Sequence, residues 1–253
     1  MAEPTRNALV TGASGGIGRA VLERLAADGF RVIACDKDPA GEQLAREVGG
    51  VFIQGNLADP GEVWRVAVEA RRAYGGVDVL VNNAGFQHVA PLERFPLSVW
   101  QTMQQVMVTA PFQLIRSFLP GMKERRWGRI VNMGSIHALV ASPYKAAYVT
   151  AKHALLGLTR AAALEAGDAG VTVNAVCPAY VRTPLVEGQI ADQAANLGVG
   201  EDEVLAKVML EPAAIKRLIE PEEVAALVAF LVSDAAGAIT GSCLPIDLGW
   251  TAR

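Results

Sequence analysis

Short aliphatic runs alternate along the chain with longer stretches whose apolar residues recur every three or four positions. The runs Ala8–Thr11, Arg31–Cys35, Val51–Ile53, Val77–Val81, Arg129–Met133, Val171–Val176 and Cys243–Ile246 have strand length. Val77–Val81 is almost wholly apolar, as befits a strand buried on both faces. Helical composition and spacing occupy Gly16–Asp28, Glu42–Val48, Glu62–Tyr74, Val99–Arg125, Tyr144–Ala166 and Pro221–Ser233. The last carries proline in its first turn, where the missing N–H costs nothing. Strand and helix in this alternation predict an α/β fold, one domain over residues 1–253, with a doubly wound parallel sheet and right-handed crossovers.

One stretch departs from the rhythm. Residues 182–220 hold no strand pattern and are rich in alanine and charge, with amphipathic spacing over Ala191–Asn196 and Asp202–Leu210. An excursion of that length from a compact sheet is expected to be a functional lid.

Thr11-Gly12-Ala13-Ser14-Gly15-Gly16-Ile17-Gly18 follows the first strand and opens the first helix. Glycines there permit a tight turn and close approach of a pyrophosphate, and the helix N-terminus offers free N–H groups. The placement predicts a Rossmann-type nucleotide site on Gly12, Ser14, Gly15, Gly16, Ile17 and Gly18. Asp36 ends the second strand, where a carboxylate accepts from an adenosine ribose diol and repels a 2′-phosphate. Ala13 supplies no cation to offset that repulsion, although Lys37 is near, so NAD is the expected cofactor rather than NADP.

Tyr148 and Lys152 stand four apart, so on a helix the phenol and ammonium share one face. A neighbouring cation favours the phenolate and suits Tyr148 to acid–base work near neutrality. Bulk properties narrow the classes further. A net charge of −3 over 253 residues gives no basic footprint for nucleic acid. The start, Met-Ala-Glu-Pro-Thr-Arg-Asn, lacks a leader profile, and the apolar Val224–Val232 is too short to span a membrane. The three cysteines, Cys35, Cys177 and Cys243, sit among apolar neighbours as buried thiols of a reducing cytoplasm.

Taken together, the glycine pattern, Asn82-Asn83-Ala84-Gly85, Ser135, Tyr148-x3-Lys152 and Pro178–Pro184 make the chain resemble the short-chain dehydrogenase/reductase family over its whole length. That resemblance implies a Rossmann-type seven-stranded sheet in the order 3-2-1-4-5-6-7. Ala179 stands where that family usually has glycine. The stretches Phe86–Pro91, Ser135–His137, Ala141–Lys145, Thr183–Ile190 and Gly249–Ala252 are similar, more narrowly, to bacterial D-3-hydroxybutyrate dehydrogenases. The resemblance implies that Tyr148 is the base, that Ser135 donates to the reacting oxygen, and that Lys152 holds the nicotinamide ribose and lowers the tyrosine pKa. It adds Asn56, Leu57, Asn83, Ala84, Gly85, Pro178, Val181 and Thr183, with Tyr148 and Lys152, to the cofactor-binding set.

A short hydroxy or keto acid needs its carboxylate held, and Gln87, His137, Lys145 and Gln189 are the candidates. His137 can share the cleft with Ser135 if that stretch is extended; Lys145 is one helical neighbour from Tyr148 if the helix starts early enough. Tyr180 and Trp250 are candidate walls for the substrate methyl, with Tyr180 replacing a tryptophan common in the resembling enzymes. His88 is read as structural. Met107 occupies the family's usual asparagine position, Asn56 a usual aspartate, and Leu248 a usual glycine. The expected activity is therefore NAD-dependent oxidation of D-3-hydroxybutyrate to acetoacetate. The alternatives are reduction of another carbonyl, such as a 3-ketoacyl thioester with NADPH, and a non-catalytic NAD-binding sensor or scaffold. The charge, the cysteines and the hydropathy lead us to expect a cytoplasmic protein with neither membrane nor nucleic acid as partner, and the resemblance implies a homotetramer assembled on its long helices.

Overall fold

The computed structural model describes residues 5–252, so the first residues of the leader reading lie outside it. Seven parallel strands form one sheet: β1 (Asn7–Thr11), β2 (Arg31–Asp36), β3 (Val51–Gln54), β4 (Val79–Asn82), β5 (Gly128–Met133), β6 (Val171–Pro178) and β7 (Cys243–Ile246). Their order is β3-β2-β1-β4-β5-β6-β7, as expected. The chain reverses direction across the sheet between β1 and β4, which opens a crevice at their carboxyl ends. Both faces are covered, and successive strand residues serve opposite cores. Ala8, Val10, Val32 and Ala34 join one core with helices α1 (Gly16–Ala27), α2 (Gly41–Glu47) and a late helix at Pro221–Val232. Leu9, Ile33 and Leu80 join the other, against α3 (Pro60–Tyr74) and the helices that follow β4 and β5. Each fully buried Leu or Ile contributes roughly 1.5–3 kcal/mol.

The expected helices after β4 and after β5 differ from their sequence bounds. The long helix after β4 is interrupted: α4 (Leu97–Gln104) passes through a π-helical turn at Gln105–Thr109 into α5 (Ala110–Glu124). Pro111 lacks an N–H, and the widened turn ahead of it absorbs the lost hydrogen bond. Met107 lies inside that turn, buried. The helix expected from Tyr144 begins later, as α6 (Ala146–Ala166), because Tyr144 takes a left-handed φ of 66°. α6 is bolted to the sheet by a buried amide chain: Asn82 Nδ2 donates to Asn132 Oδ1 at 2.8 Å, and Asn132 Nδ2 to Thr159 Oγ1 at 2.9 Å.

The excursion between β6 and the last helix holds α7 (Pro184–Leu197) and α8 (Glu201–Val204), the latter running into a π-helical turn at Leu205–Met209. α7 starts earlier than periodicity suggested, because Thr183 caps it and Pro184 occupies its first turn. Val186, Ile190, Val204, Met209 and Leu218 give this unit its own small core. Its two ends are stitched together by a bridge between Val181 and Ile219 and an ion pair of Arg182 with Glu220 at 3.0 Å. α9 (Pro221–Val232) then returns the chain to β7. Among the described residues no helix is long and apolar enough to cross a membrane.

Candidate active site

The glycine turn is built by close approach. Gly12 has φ 66°, and a Cβ there would fall 2.8 Å from Ala84 Cα. A Cβ on Gly18 would collide with the Gly12 carbonyl oxygen, so Gly18 packs the turn from below rather than lining it. Gly15 faces open space, and α1 begins without a side-chain cap or an acidic residue in its first turn. The uncapped N–H groups and the open cradle suit an anion such as a pyrophosphate. Asn83 clamps this turn to the end of β4: its Nδ2 donates to the carbonyls of Thr11 and Gly12, each at 3.0 Å. Thr11 Oγ1 in turn accepts from the backbone N–H groups of Asn83 and Ala84.

A cleft of 720 Å³ runs from this turn to Tyr148 and Lys152. Every residue expected to hold a cofactor lines it, Gly18 excepted. Asp36 projects at its far end and accepts from the backbone N–H of Ser14 at 3.0 Å and of Asp38 at 3.1 Å. Asn56 turns its amide oxygen onto the N–H of Ala58. Thr183, at the root of α7, lies over Gly16, where an added Cβ would meet its methyl at 3.0 Å. Lys37, Asp38, Gly55, Phe86, Val106 and Leu185 also line the cleft, though sequence motifs did not single them out as contacts. The residues present therefore fit a nicotinamide dinucleotide.

At the inner end, Ser135, Tyr148 and Lys152 come together. Ser135 ends an extended segment after β5, and its Oγ accepts from the His137 N–H at 3.2 Å. Its hydroxyl also lies beside the Tyr148 phenol and favours the ionised form. Lys152 is buried, and its Nζ donates to the Met133 carbonyl at 2.7 Å while lying 5.3 Å from the Tyr148 ring centroid. Burial pushes Lys152 down to about 8 and Tyr148 up to about 12, the Ser135 hydroxyl opposing the latter. Desolvation thus dominates the phenol, and the opposing influence comes from Ser135 rather than, as expected, from Lys152.

Beyond Tyr148, the stretch after Ser135 is a 3-10 turn at Ile136–Ala138 rather than extended. The turn still brings His137 inward: its ring stands edge-on to Tyr148, centroids 6.0 Å apart. His137 is buried and Nδ1 has no partner; burial and then the Lys145 charge hold its pKa down at about 4. Lys145 precedes α6 as its cap residue, outside the helix. The left-handed Tyr144 turns the chain there, its carbonyl fixed by the Ala90 N–H at 3.0 Å. Lys145 is 7% exposed, pairs with no carboxylate among the described residues, and lies 5.6 Å from the Tyr180 ring centroid. Its ammonium is depressed by burial.

The remaining candidates are less convergent. Gln87 folds its amide oxygen onto the next N–H, that of His88, at 3.2 Å. Gln189 is partly buried on α7, and no hydrogen bond among the described residues joins either glutamine to His137 or Lys145. Trp250 donates its indole N–H to the Met209 carbonyl at 3.3 Å, tying the end of the chain to the excursion. His88 packs edge-on against Phe95. Asn132 and Thr159, which fix α6 to the sheet, were not singled out in the sequence. Polar residues inside an apolar strand and helix were the available signal.

A doubly wound sheet with a glycine-cradled cleft and a Ser-Tyr-Lys cluster at its inner end defines a nicotinamide-dependent oxidoreductase class. Residues 12–251 match the family described as Enoyl-(Acyl carrier protein) reductase. The chain is 41% identical to D-beta-hydroxybutyrate dehydrogenase of Rhizobium meliloti, over 98% of this chain and 100% of that one. It is 40% identical to the protein of the same name from Cupriavidus necator, over 98% of each. It is 36% identical to the 3-oxoacyl-acyl-carrier-protein reductase of Escherichia coli, over 96% of each. A solved structure titled short chain dehydrogenase/reductase family protein superposes with a TM-score of 0.87 at 33% identity, covering all of both chains. The chain belongs to the short-chain dehydrogenase/reductase family.

Proposed function

We propose that the protein oxidises D-3-hydroxybutyrate to acetoacetate, reversibly, with NAD. The observation that carries this reading is Lys145, a buried cation with no carboxylate partner among the described residues, beside an unpartnered imidazole nitrogen of His137 and next to Tyr148. An uncompensated buried ammonium is costly, and a substrate carboxylate would offset it. A 3-ketoacyl thioester offers no such group. The names of the two relatives at 40 and 41% identity support the same choice.

A bound NAD would be held by the glycine turn, Asp36 and Lys152, and would supply the hydride acceptor and a positive charge. Tyr148 takes the hydroxyl proton as base, and Ser135 donates to the reacting oxygen. Lys152 keeps a positive charge beside the phenol, which favours its ionised form. Lys145 and His137 grip the carboxylate; Gln87 and Gln189 join them when the 182–220 segment closes as a lid, and Tyr180 and Trp250 wall the methyl. Asp36, occupying the ribose end of the cleft, selects NAD over NADP. The protein works in the cytoplasm as a homotetramer on α5 and α6, where Phe112 is 48% and Leu164 88% exposed. Light scattering at one protomer mass would defeat that assembly.

The deciding assay follows NADH absorbance with D- and L-3-hydroxybutyrate in separate reactions, each with NAD and with NADP. Growth with the D isomer and NAD alone supports the reading. Silence with both isomers, together with turnover of a 3-ketoacyl thioester, would replace it by the reductase.

A further inference from the structure

Cys177 and Cys243 meet across the last two strands, with Sγ atoms 3.0 Å apart. Cys177 sits on β6 and is wholly buried; Cys243 opens β7 and keeps part of its surface exposed. Neither thiol has a part in the chemistry above, yet Cys177 lies directly under it. A Cβ on Gly134 would fall 2.6 Å from the Cys177 sulfur, so this sulfur fills the space beneath the residue that leads into Ser135. Gly134 is itself held to β6 by its N–H on the Val176 carbonyl at 2.7 Å. The charge of a Cys177 thiolate would also be felt at both Tyr148 and Lys152.

The geometry points to a modification site: Cys243 and Cys177 are oxidised by a hydroperoxide to a disulfide that disarms the Ser135–Tyr148–Lys152 cluster. The partly exposed Cys243 thiolate attacks one peroxide oxygen and the O–O bond breaks. The products are a sulfenic acid and, after protonation, water or an alcohol. The Cys177 sulfur then displaces the sulfenic oxygen, which leaves as a second water with the Cys177 proton. The two thiols lose two electrons and two protons, and the peroxide is reduced. Cys243 is the fitting attacker because the hydrogen bond from Cys177 and the nearby Arg160 charge favour its thiolate, while the Cys243 contact and then burial disfavour ionisation of Cys177. Cys35 is isolated in the opposite core and pushed up to about 12 by burial, so it stays a thiol.

The bond requires the sulfurs to close to about 2.05 Å, a movement of about 1 Å. That movement draws Cys177 toward β7 and away from Gly134, and a shift of about 1 Å in a positioned catalytic group can cost about 100-fold in rate.

The test treats the full-length protein with hydrogen peroxide and follows two readouts. One is the mass of the linked Cys177–Cys243 peptides; the other is turnover, with dithiothreitol added afterwards. The expected result is a linked pair two hydrogens lighter, at least a 10-fold loss of turnover, and recovery of both on reduction. Cys243→Ser should form no link and keep its turnover under peroxide, while Cys35→Ser should behave as wild type. Absence of the linked peptides in wild-type protein would overturn the site. A link that leaves turnover unchanged, or equal inactivation of Cys243→Ser, would overturn its coupling to the active site. The peptide readout does not depend on which alcohol is the substrate.

Discussion

The Lys145 ammonium stands 5.6 Å from the centre of the Tyr180 ring, and that aromatic face compensates this buried charge, which pairs with no carboxylate among the described residues. A ring face offsets only part of the lost hydration, on the order of 2 kcal/mol when desolvated. Replacing Lys145 by methionine removes the charge while keeping the shape. The expected outcome is a KM for 3-hydroxybutyrate raised roughly 10- to 100-fold, from loss of a charge-assisted hydrogen bond. The kcat should change far less, which steady-state kinetics separates.

Lys152 is expected to trade stability for chemistry. Its pKa is held at about 8 by burial, below its ordinary value, so the unfolded chain binds a proton more readily between about 8 and 10.5. At neutral pH the folded protein bears the penalty of a buried ammonium. Lys152→Met should therefore raise Tm, by about 2–4 °C for each kcal/mol recovered. Turnover should fall by at least 100-fold. Calorimetry and NADH formation on the same sample check both.

Acidification reports on His137. With the folded pKa at about 4, the unfolded chain takes up a proton that the folded one refuses between about 6.5 and 4. His137 thus contributes stability above its ordinary pKa that is lost as pH falls through this window. Urea unfolding at several pH values should show that slope, and His137→Gln should flatten it.

The buried amide chain should behave as a structural bolt. Asn132 gives Nδ2 to Thr159 and accepts from Asn82, so Asn132→Ala leaves the buried Asn82 amide unpaired, while Thr159 keeps its bond to the Leu155 carbonyl. A loss of about 1–3 kcal/mol is expected, measured by denaturant midpoint. Both kcat and KM should suffer, because α6 carries Tyr148 and Lys152.

Tyr144 holds a left-handed backbone that a non-glycine residue adopts at a cost of about 1–2 kcal/mol. Tyr144→Gly should recover part of that strain, offset by the entropy that glycine gives the unfolded chain. Tyr144→Pro, whose φ is fixed near −65°, cannot turn Lys145 inward. The proline variant is expected to raise KM for the hydroxy acid while leaving NADH binding, followed by fluorescence, unchanged.

The strands, the doubly wound sheet and the glycine-cradled cleft were legible because strand length, glycine placement and the alternation of faces are local patterns, whereas the strand order came from the family resemblance. Other features depend on contacts the pattern does not carry. The π-helical turn around Met107 reflects where Pro111 falls relative to the preceding carbonyls, and helical periodicity passes over it. The start of α6 was misplaced because Tyr144 carries no signal for a positive φ such as glycine would give. Lys145 and His137 were named among four carboxylate candidates, but their spacing arguments assumed a helix and an extended segment that are absent there. Desolvation of Tyr148 was hidden for the same reason: burial is a property of the packed chain.

The pinned base of the 182–220 segment has a consequence for how such a protein changes over generations. With Val181 bridged to Ile219 and Arg182 paired to Glu220, the segment leaves and re-enters the sheet at neighbouring points. Its closure entropy grows only slowly with length, so residues can be inserted, removed or exchanged between those points at small thermodynamic cost. The segment is a cassette. Its contents can drift to fit another alcohol or ketone while the seven strands, and the cofactor they cradle, are inherited intact.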